Sequence, residues 1–411
     1  MLPLTRREFL RHGTRGIGLL TFSQVVPGFL TRAAAQGTPL PEKDRRILVL
    51  VQLAGGNDGL NTVVPFSDDR YYNLRPTLAL QGDGLHRLNY DLALHPACGP
   101  LAELWKEGRM SIVQNVGYPN PNRSHFRSTE IWESASSANE DVAEGWIGRY
   151  FDHACSGAPE GSDPAGIHAS SDLPPTFIGE EVHPVFGLGA RGRGQDRRSR
   201  ALLQELATLD TSANHEDFLR HTMMDTLVTE DRIQTLLRKD KPEARYPGNG
   251  FARSLQNIAA LIAAGLETRV YFARLGGFDT HARQLTRHNA LMRTLSQGLA
   301  AFQRDLTARG LADQVLTMTF SEFGRRPSEN SSEGTDHGTA APLFVMGSQL
   351  QANLCGEAPD LALGENEDLR FSTDFRSVYA TVLERWLAAP ANPIIGDFPQ
   401  LEFLRGSLGR P

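Results

Sequence analysis

The run Ile47-Leu48-Val49-Leu50-Val51-Gln52-Leu53 is almost continuously apolar and stops at Ala54-Gly55-Gly56. A strand with one face in water alternates apolar and polar positions, and a strand covered on both faces does not. This run therefore predicts a strand inside a parallel sheet sandwiched by helices. Met110–Val116, Arg269–Leu275 and Val315–Phe320 have the same character, and Ala341–Met346 predicts one strand more. Apolar residues recur at helical spacing over Pro96–Glu107, His125–Ser134, Phe251–Leu266 and Ala282–Arg309, with Asp374–Leu387 as a closing helix. Strand and helix in alternation predict an α/β fold, a three-layer α/β/α sandwich with a mostly parallel central sheet. Ser156–Asn249 breaks the pattern with Pro/Gly/Ser-rich loops, the basic tract Arg191–Arg200 and helical patterns at Arg198–Leu209 and Glu216–Leu237. It reads as a loop and helix insertion, at about 156–249, in a single domain spanning 46–411.

The first 35 residues follow other rules. They hold Arg6, Arg7, Arg11, Arg15 and Arg32 with one acid, Glu8, then the largely uncharged stretch GIGLLTFSQVVPGFL and the small residues Ala33-Ala34-Ala35. A basic head, a short apolar middle and a small-residue exit predict a secretory signal over 1–35, followed by a polar leader over 36–45. The apolar stretch, interrupted by Gly16, Gly18, Pro27 and Gly28, falls short of the ~20 residues of a membrane span. Thr5-Arg6-Arg7-Glu8-Phe9-Leu10 resembles the twin-arginine export signal, which predicts a periplasmic or secreted protein; the plainer alternative is a basic amphipathic helix.

Composition narrows the class. With 40% hydrophobic and 22% charged residues, whole-chain disorder and fibrous folds are excluded. Cys98, Cys155 and Cys355 are too few for a disulfide scaffold and form no Cys-x-x-Cys pair; one disulfide is allowed and buried thiols are expected. The 411-residue chain carries net −6; without the five arginines and one glutamate of residues 1–35, 37 basic and 47 acidic side chains remain, a net −10. An acidic protein without a basic stripe is not built for nucleic acid.

Several signatures fail on inspection. Gly187-x-Gly189-x-x-Gly192 has dinucleotide-loop spacing but opens into an Arg-rich polar stretch, and His215-Glu216 lacks the second histidine of a zincin helix because position 219 is Leu. No Gly-x-Ser-x-Gly elbow or Walker A loop is present.

In a doubly wound sheet, function sits outside the carboxyl ends of the strands. Each apolar run is followed by a polar, Gly-rich cluster: Gly55 to Asn61, Gly117 to Phe126, Gly276 to His281, and Ser321 to Arg326 with Gly334 to Gly338. These clusters carry Asp58, Ser124, His125, Asp279, His281, Glu322, Asp336 and His337 to one edge. Carboxylates and neutral imidazoles suit divalent Zn, Mn or Mg, and two close ions can clamp a phosphoryl group. Ser124 stands where a helix begins, so it could attack a phosphate or sulfate whose charge the helix dipole, Arg127 and Arg325 help to hold. His125 is a general acid or a supporting group. Against this, Asp and Asn at strand ends are common caps and turn formers, and Glu322 has Arg325 and Arg326 as ready ion-pair partners.

The same clusters, LAGGNDGLNTVVP, NRSHFRSTEIWE, GGFDTHARQ, SEFGRRPSEN, GTDHGTAAPLFVMG and the terminal DFRSVYATVLERW among them, resemble the domain of unknown function 1501 family. That resemblance implies an alkaline phosphatase-like fold with a metal site at the strand ends. It implies Asp58 as the first ligand aspartate, Ser124 as nucleophile, Asp279 and His281 as a ligand pair, and His337 as the last ligand histidine. Ser321-Glu322-Phe323-Gly324 lies where relatives in the phosphatase and sulfatase superfamily carry Asp-His-Gly, so an imidazole is missing and Asp336 is the substitute in reach. The expectation is an exported hydrolase of small anionic phosphate or sulfate esters, using one or two divalent ions. A non-catalytic periplasmic binding or assembly module of the same fold, with a protein partner, is the alternative.

Overall fold

The computed structural model describes residues 45–154, 163–188, 229–364 and 367–405. The segment expected as a signal, most of the expected leader, Cys155, the Arg191–Arg200 tract and the His215-Glu216 pair lie outside the described residues, as does the Gly-x-Gly motif beyond Leu188.

Strand β1 (Ile47–Ala54) lies between the parallel strands β8 (Val270–Gly276) and β9 (Val315–Phe320), in register Leu50↔Phe272 and Leu50↔Met318. Its two faces meet different partners. Ile47, Val49, Val51 and Leu53 pack with α3 (Gly99–Lys106), α6 (Gly250–Ala263) and α7 (Gln284–Ala308). Leu48 and Leu50 pack with α4 (His125–Ser134), α5 (Trp146–Ala154) and α8 (Phe375–Thr381). That division is the three-layer sandwich, and it explains the unbroken apolar run: each such side chain, fully buried, contributes about 1.5–3 kcal/mol.

Beyond β9 come β10 (Ala341–Met346), β5 (Met110–Gly117) and β11 (Leu354–Cys355), with β12 (Thr373–Asp374) also on β5. Beyond β8 come β6 (Gly166–Ala169) and β7 (Val185–Gly187). The sheet is mostly parallel, as expected, but β10 runs antiparallel to both β5 and β9. Its amino end therefore lies beside the carboxyl ends of its neighbours, and the whole connection 321–340 stays at that edge.

The segment expected as an insertion is in part sheet. β6 pairs β8 in parallel and β7 pairs β6, extending the central sheet at its far edge. Runs of four and three residues are too short for periodicity to reveal. The expected helical pattern ending at Leu237 is helical over 229–239 where it is described. A second small sheet, β2 (Val63–Val64), β4 (Ala93–Leu94) and β3 (His86–Arg87), is antiparallel and was not foreseen. No helix among the described residues is long and apolar enough to cross a membrane.

Candidate metal centre

The loop after β1 is wedged between the loops after β8 and β9. Gly55 has φ +120°, and a Cβ there would stand 2.3 Å from the Asp279 nitrogen; Gly56 has φ +79°, and its Cβ would meet the Phe323 ring at 2.4 Å. Only glycine satisfies both the left-handed backbone and the close approach. The Gly55 amide donates to Glu322 Oε1 at 2.7 Å and the Asn57 amide to Ser321 Oγ at 2.9 Å. Arg325, buried, completes the junction: Nε donates to the Gly56 carbonyl (2.8 Å), Nη1 to that of Thr335 (2.8 Å), and Nη2 to Phe278 O (3.1 Å), Gly55 O and Asp279 Oδ1 (2.7 Å).

Three imidazoles converge on that Asp279 oxygen. His281 Nε2 is 3.1 Å from Oδ1, His337 Nε2 is 3.2 Å and His125 Nε2 is 3.6 Å. The other nitrogen of each ring faces an acceptor. His125 Nδ1 meets Glu322 Oε1 at 2.9 Å, His281 Nδ1 meets Asp336 Oδ1 at 3.0 Å, and His337 Nδ1 meets the Arg123 carbonyl at 2.8 Å. A carbonyl or carboxylate can only accept, so each of these contacts takes its proton from Nδ1, and in that tautomer the Nε2 lone pair turns inward. His281 Nε2 and His337 Nε2 are 2.9 Å apart, two lone pairs facing each other beside a carboxylate. Such a cluster of acceptors calls for a cation. Tetrahedral ligands at about 2.0–2.2 Å stand about 3.3–3.6 Å from one another, close to the 3.1, 3.2 and 3.6 Å that separate the three Nε2 atoms from Asp279 Oδ1. The set with ligand atoms mutually within 4.8 Å is His125, Asp279 and His337; His281 borders the last two.

Local charge prepares these groups. Burial pushes the Asp279 carboxyl up, but the Arg325 hydrogen bond, the adjoining His337 ring and the Arg325 charge outweigh it and hold the pKa at about 2. Burial lowers the pKa of His337, against the Arg123 carbonyl and Asp279. The hydrogen bond to Glu322 raises that of His125. A hydrogen bond from Asn330, opposed by burial and aided by His281, keeps Asp336 below the usual carboxylate range.

The other expected site residues take different places. Glu322 and Asp336 stand behind His125 and His281 rather than facing the centre. Asp58 is withdrawn from it: Oδ2 accepts from Arg75 Nη1 at 2.7 Å and from Gln284 Nε2, Oδ1 accepts from the Asn61 amide at 3.4 Å, and both the Asp58 and Arg75 side chains are wholly buried. Arg127 binds Glu130 (2.8 Å), Asp141 (2.9 Å) and carbonyls of the 137–140 turn, so it ties a loop to its helix and is not free for a substrate anion. Arg325 is likewise consumed by its five partners. Ser124 is exposed at the N-cap of α4 and its side chain makes no capping hydrogen bond, which leaves the hydroxyl available beside His125. Phe323 packs its ring 5.0 Å from His125 and 4.5 Å from His337, an apolar wall on that side of the centre.

Arg75, the Arg123 carbonyl and Gln284 were not foreseen. They are partners of site residues, and no spacing rule marks a partner. Arg123 and Arg326, both partly exposed, share Asp368, and the Arg123 carbonyl reaches His337. A second His/acid group, Asp152, Glu181 and His183, is already satisfied: Asp152 accepts from the Glu180 amide (2.9 Å), the Glu181 amide (3.1 Å) and His183 (2.6 Å).

Residues 94–387 match the family described as "Protein of unknown function (DUF1501)". No curated protein matches the chain in sequence. Similar solved structures include a protein in the alkaline phosphatase superfamily from Vibrio parahaemolyticus, 12% identical, covering 92% of this chain and 72% of that one, TM-score 0.36. The C-terminal periplasmic domain of EptC from Escherichia coli, in complex with Zn, is 10% identical, covers 75% of each chain and has TM-score 0.37. Lipooligosaccharide phosphoethanolamine transferase A from Neisseria meningitidis is 11% identical, covers 92% of this chain and 61% of that one, TM-score 0.39.

Proposed function

The chain belongs to the DUF1501 family, and from that premise we propose that it is an exported, metal-dependent hydrolase of phosphate or sulfate esters. The observation that carries this reading is the convergence of three imidazole Nε2 atoms on Asp279 Oδ1, with every Nδ1 anchored from behind. An N₃O donor set suits zinc, and the wall formed by Phe323 favours one ion over two. His125, His281, His337 and Asp279 would hold the ion, which when bound supplies Lewis-acid charge at an ester oxygen. Glu322, Asp336 and the Arg123 carbonyl fix the ring orientations, and Arg325 fixes Asp279.

Ser124 provides the attacking hydroxyl. Its oxygen bonds to phosphorus or sulfur, the ester bond breaks, and the alcohol leaves with a proton; water then releases the inorganic anion and restores the serine. The amino end of α4 lies against the developing negative charge, and Arg123 and Arg326 collect the anion at the rim. Local capture matters because a chain of net −10 after signal removal does not draw anions from a distance. The resemblance of Thr5–Leu10 to a twin-arginine signal supports export, with the reaction in the periplasm or outside the cell and residues 46–411 acting as one domain.

Elemental analysis of the purified protein, with hydrolysis of p-nitrophenyl phosphate and p-nitrophenyl sulfate, tests the proposal. About one divalent ion per chain and turnover that Ser124→Ala abolishes are expected. A folded, metal-free protein that neither takes up zinc nor turns over either ester sinks it. Metal uptake without turnover on a wide ester panel favours the binding-module alternative.

A further inference from the structure

Gln284, the first residue of α7, is completely buried and bonds through both ends of its amide. Oε1 accepts from the hydroxyls of Thr280 (2.9 Å) and Thr335 (2.6 Å), and Nε2 donates to Asp58 Oδ2. Its backbone amide donates to the Glu333 carbonyl at 2.8 Å. Thr280 sits between Asp279 and His281, and Thr335 is next but one to His337. Asp58 leads on through Arg75, whose guanidinium donates to Arg326 O (3.0 Å) and Pro327 O (2.7 Å). One side chain therefore joins the loops after β1 and β8 and the one that enters β10.

The backbone shows the same constraint independently. Arg283, just before it, has φ +45° as the N-cap of α7, a left-handed conformation that costs a residue with a Cβ and persists only where its surroundings over-determine it. Its amide is pinned to the Ser332 carbonyl at 2.9 Å. The position needs two acceptor lone pairs and a donor on one planar group. Glutamate has no donor for Asp58, leucine has neither function, and asparagine is one methylene short.

We propose that Gln284 is the positioning residue of the metal centre: by bridging Thr280, Thr335 and Asp58 it sets the spacing between Asp279, His281 and His337. Its functional consequence rests on the metal reading above, while its structural claim does not. The test uses the full chain as Gln284→Leu and as Thr335→Val, the second removing one hydroxyl at nearly constant shape. Metal-free hydrogen exchange should quicken at least about tenfold over 277–283 and 333–339 in Gln284→Leu, and over 333–339 in Thr335→Val, with β5 and α8 unchanged. Zinc affinity by calorimetry should fall about 10–100-fold in Gln284→Leu, the range for groups behind metal ligands. A core variant, Leu255→Ala, should lose stability and keep its zinc affinity. Unchanged exchange in both loops, or an equal rise in β5 and α8, overturns the proposal; so does zinc affinity within twofold of wild type when the wild type binds zinc. If the wild type takes up no zinc, the metal reading falls, and the exchange comparison still decides whether Gln284 positions the loops.

Discussion

Arg325 Nη2 lies 2.7 Å from Asp279 Oδ1, and the guanidinium making that contact is wholly buried while the carboxylate is half exposed. The arginine therefore belongs to the scaffold and the aspartate to the site. Four backbone carbonyls share the same guanidinium, so shortening it orphans several acceptors at once. Arg325→Lys keeps the charge but not the planar fork, and should cost on the order of 3 kcal/mol in urea unfolding. A loss below about 1 kcal/mol would show that the loops hold together without it.

The four-acceptor centre makes a sharp distinction between Asp279 and Asp58. Zinc should raise the thermal midpoint of the wild type, by the equivalent of about 2.7 kcal/mol at a free concentration 100 times Kd. His337→Ala and Asp279→Ala should abolish that rise. Asp58→Asn should lower stability, by about 3–5 kcal/mol if the buried pair with Arg75 is broken outright, and still respond to zinc. An Asp58→Asn protein of normal stability that ignores zinc would return Asp58 to the metal.

Much of this was legible in the sequence. The apolar runs located β1, β5, β8, β9 and β10, and α4 has the expected bounds, His125–Ser134. The strand-end rule brought His125, Asp279, His281, Glu322 and His337 to one edge. What spacing does not encode is the direction of a side chain once there. Glu322 and Asp336 turn toward imidazole Nδ1 atoms, which offer each carboxylate a proton to accept. Asp58 turns toward Arg75, 17 residues on, because a carboxylate wholly buried beside a guanidinium has no better partner. Arg325, which reads as a substrate ligand, is drawn inward by the carbonyls of Gly55, Gly56, Phe278 and Thr335. Gln284 closes the stretch GGFDTHARQ, yet a neutral amide carries no chemical signature until its partners are known.

Buried histidines give a second, pH-dependent test. Burial, reinforced by neighbouring His288, lowers His95 to about 3; burial lowers His168 and His288 to about 4. Their folded values lie below the unfolded value near 6.5, so the unfolded chain takes up protons first as pH falls. The stability they contribute is present above pH 6.5 and is lost on descending toward 4 and 3. His95 Nδ1 accepts from the Ala97 amide at 3.0 Å, a role asparagine can keep. His95→Asn should therefore flatten the fall in unfolding free energy between pH 6 and 4.5 by about 1.4 kcal/mol per pH unit. An unchanged slope by chemical denaturation would mean that His95 is protonated in the folded protein.

Glu133, on α4 behind the centre, titrates in the opposite sense. Its carboxyl is buried, one oxygen (Oε2) has no hydrogen-bond partner, and burial pushes its pKa up to about 7 against Arg274 and the Thr176 backbone, with Glu322 adding to the rise. A folded value above the unfolded 4.5 means that the neutral form stabilises the fold fully below pH 4.5 and that this contribution is lost as pH rises through 7. At pH 8 the ionised group then costs on the order of 3 kcal/mol. Glu133→Gln keeps shape and removes the charge, so it should match the wild type near pH 4.5 and exceed it at pH 8 in urea unfolding. If the glutamine variant is instead the weaker at pH 8, the carboxylate is compensated by Arg274 and contributes to holding β8 and α4 together.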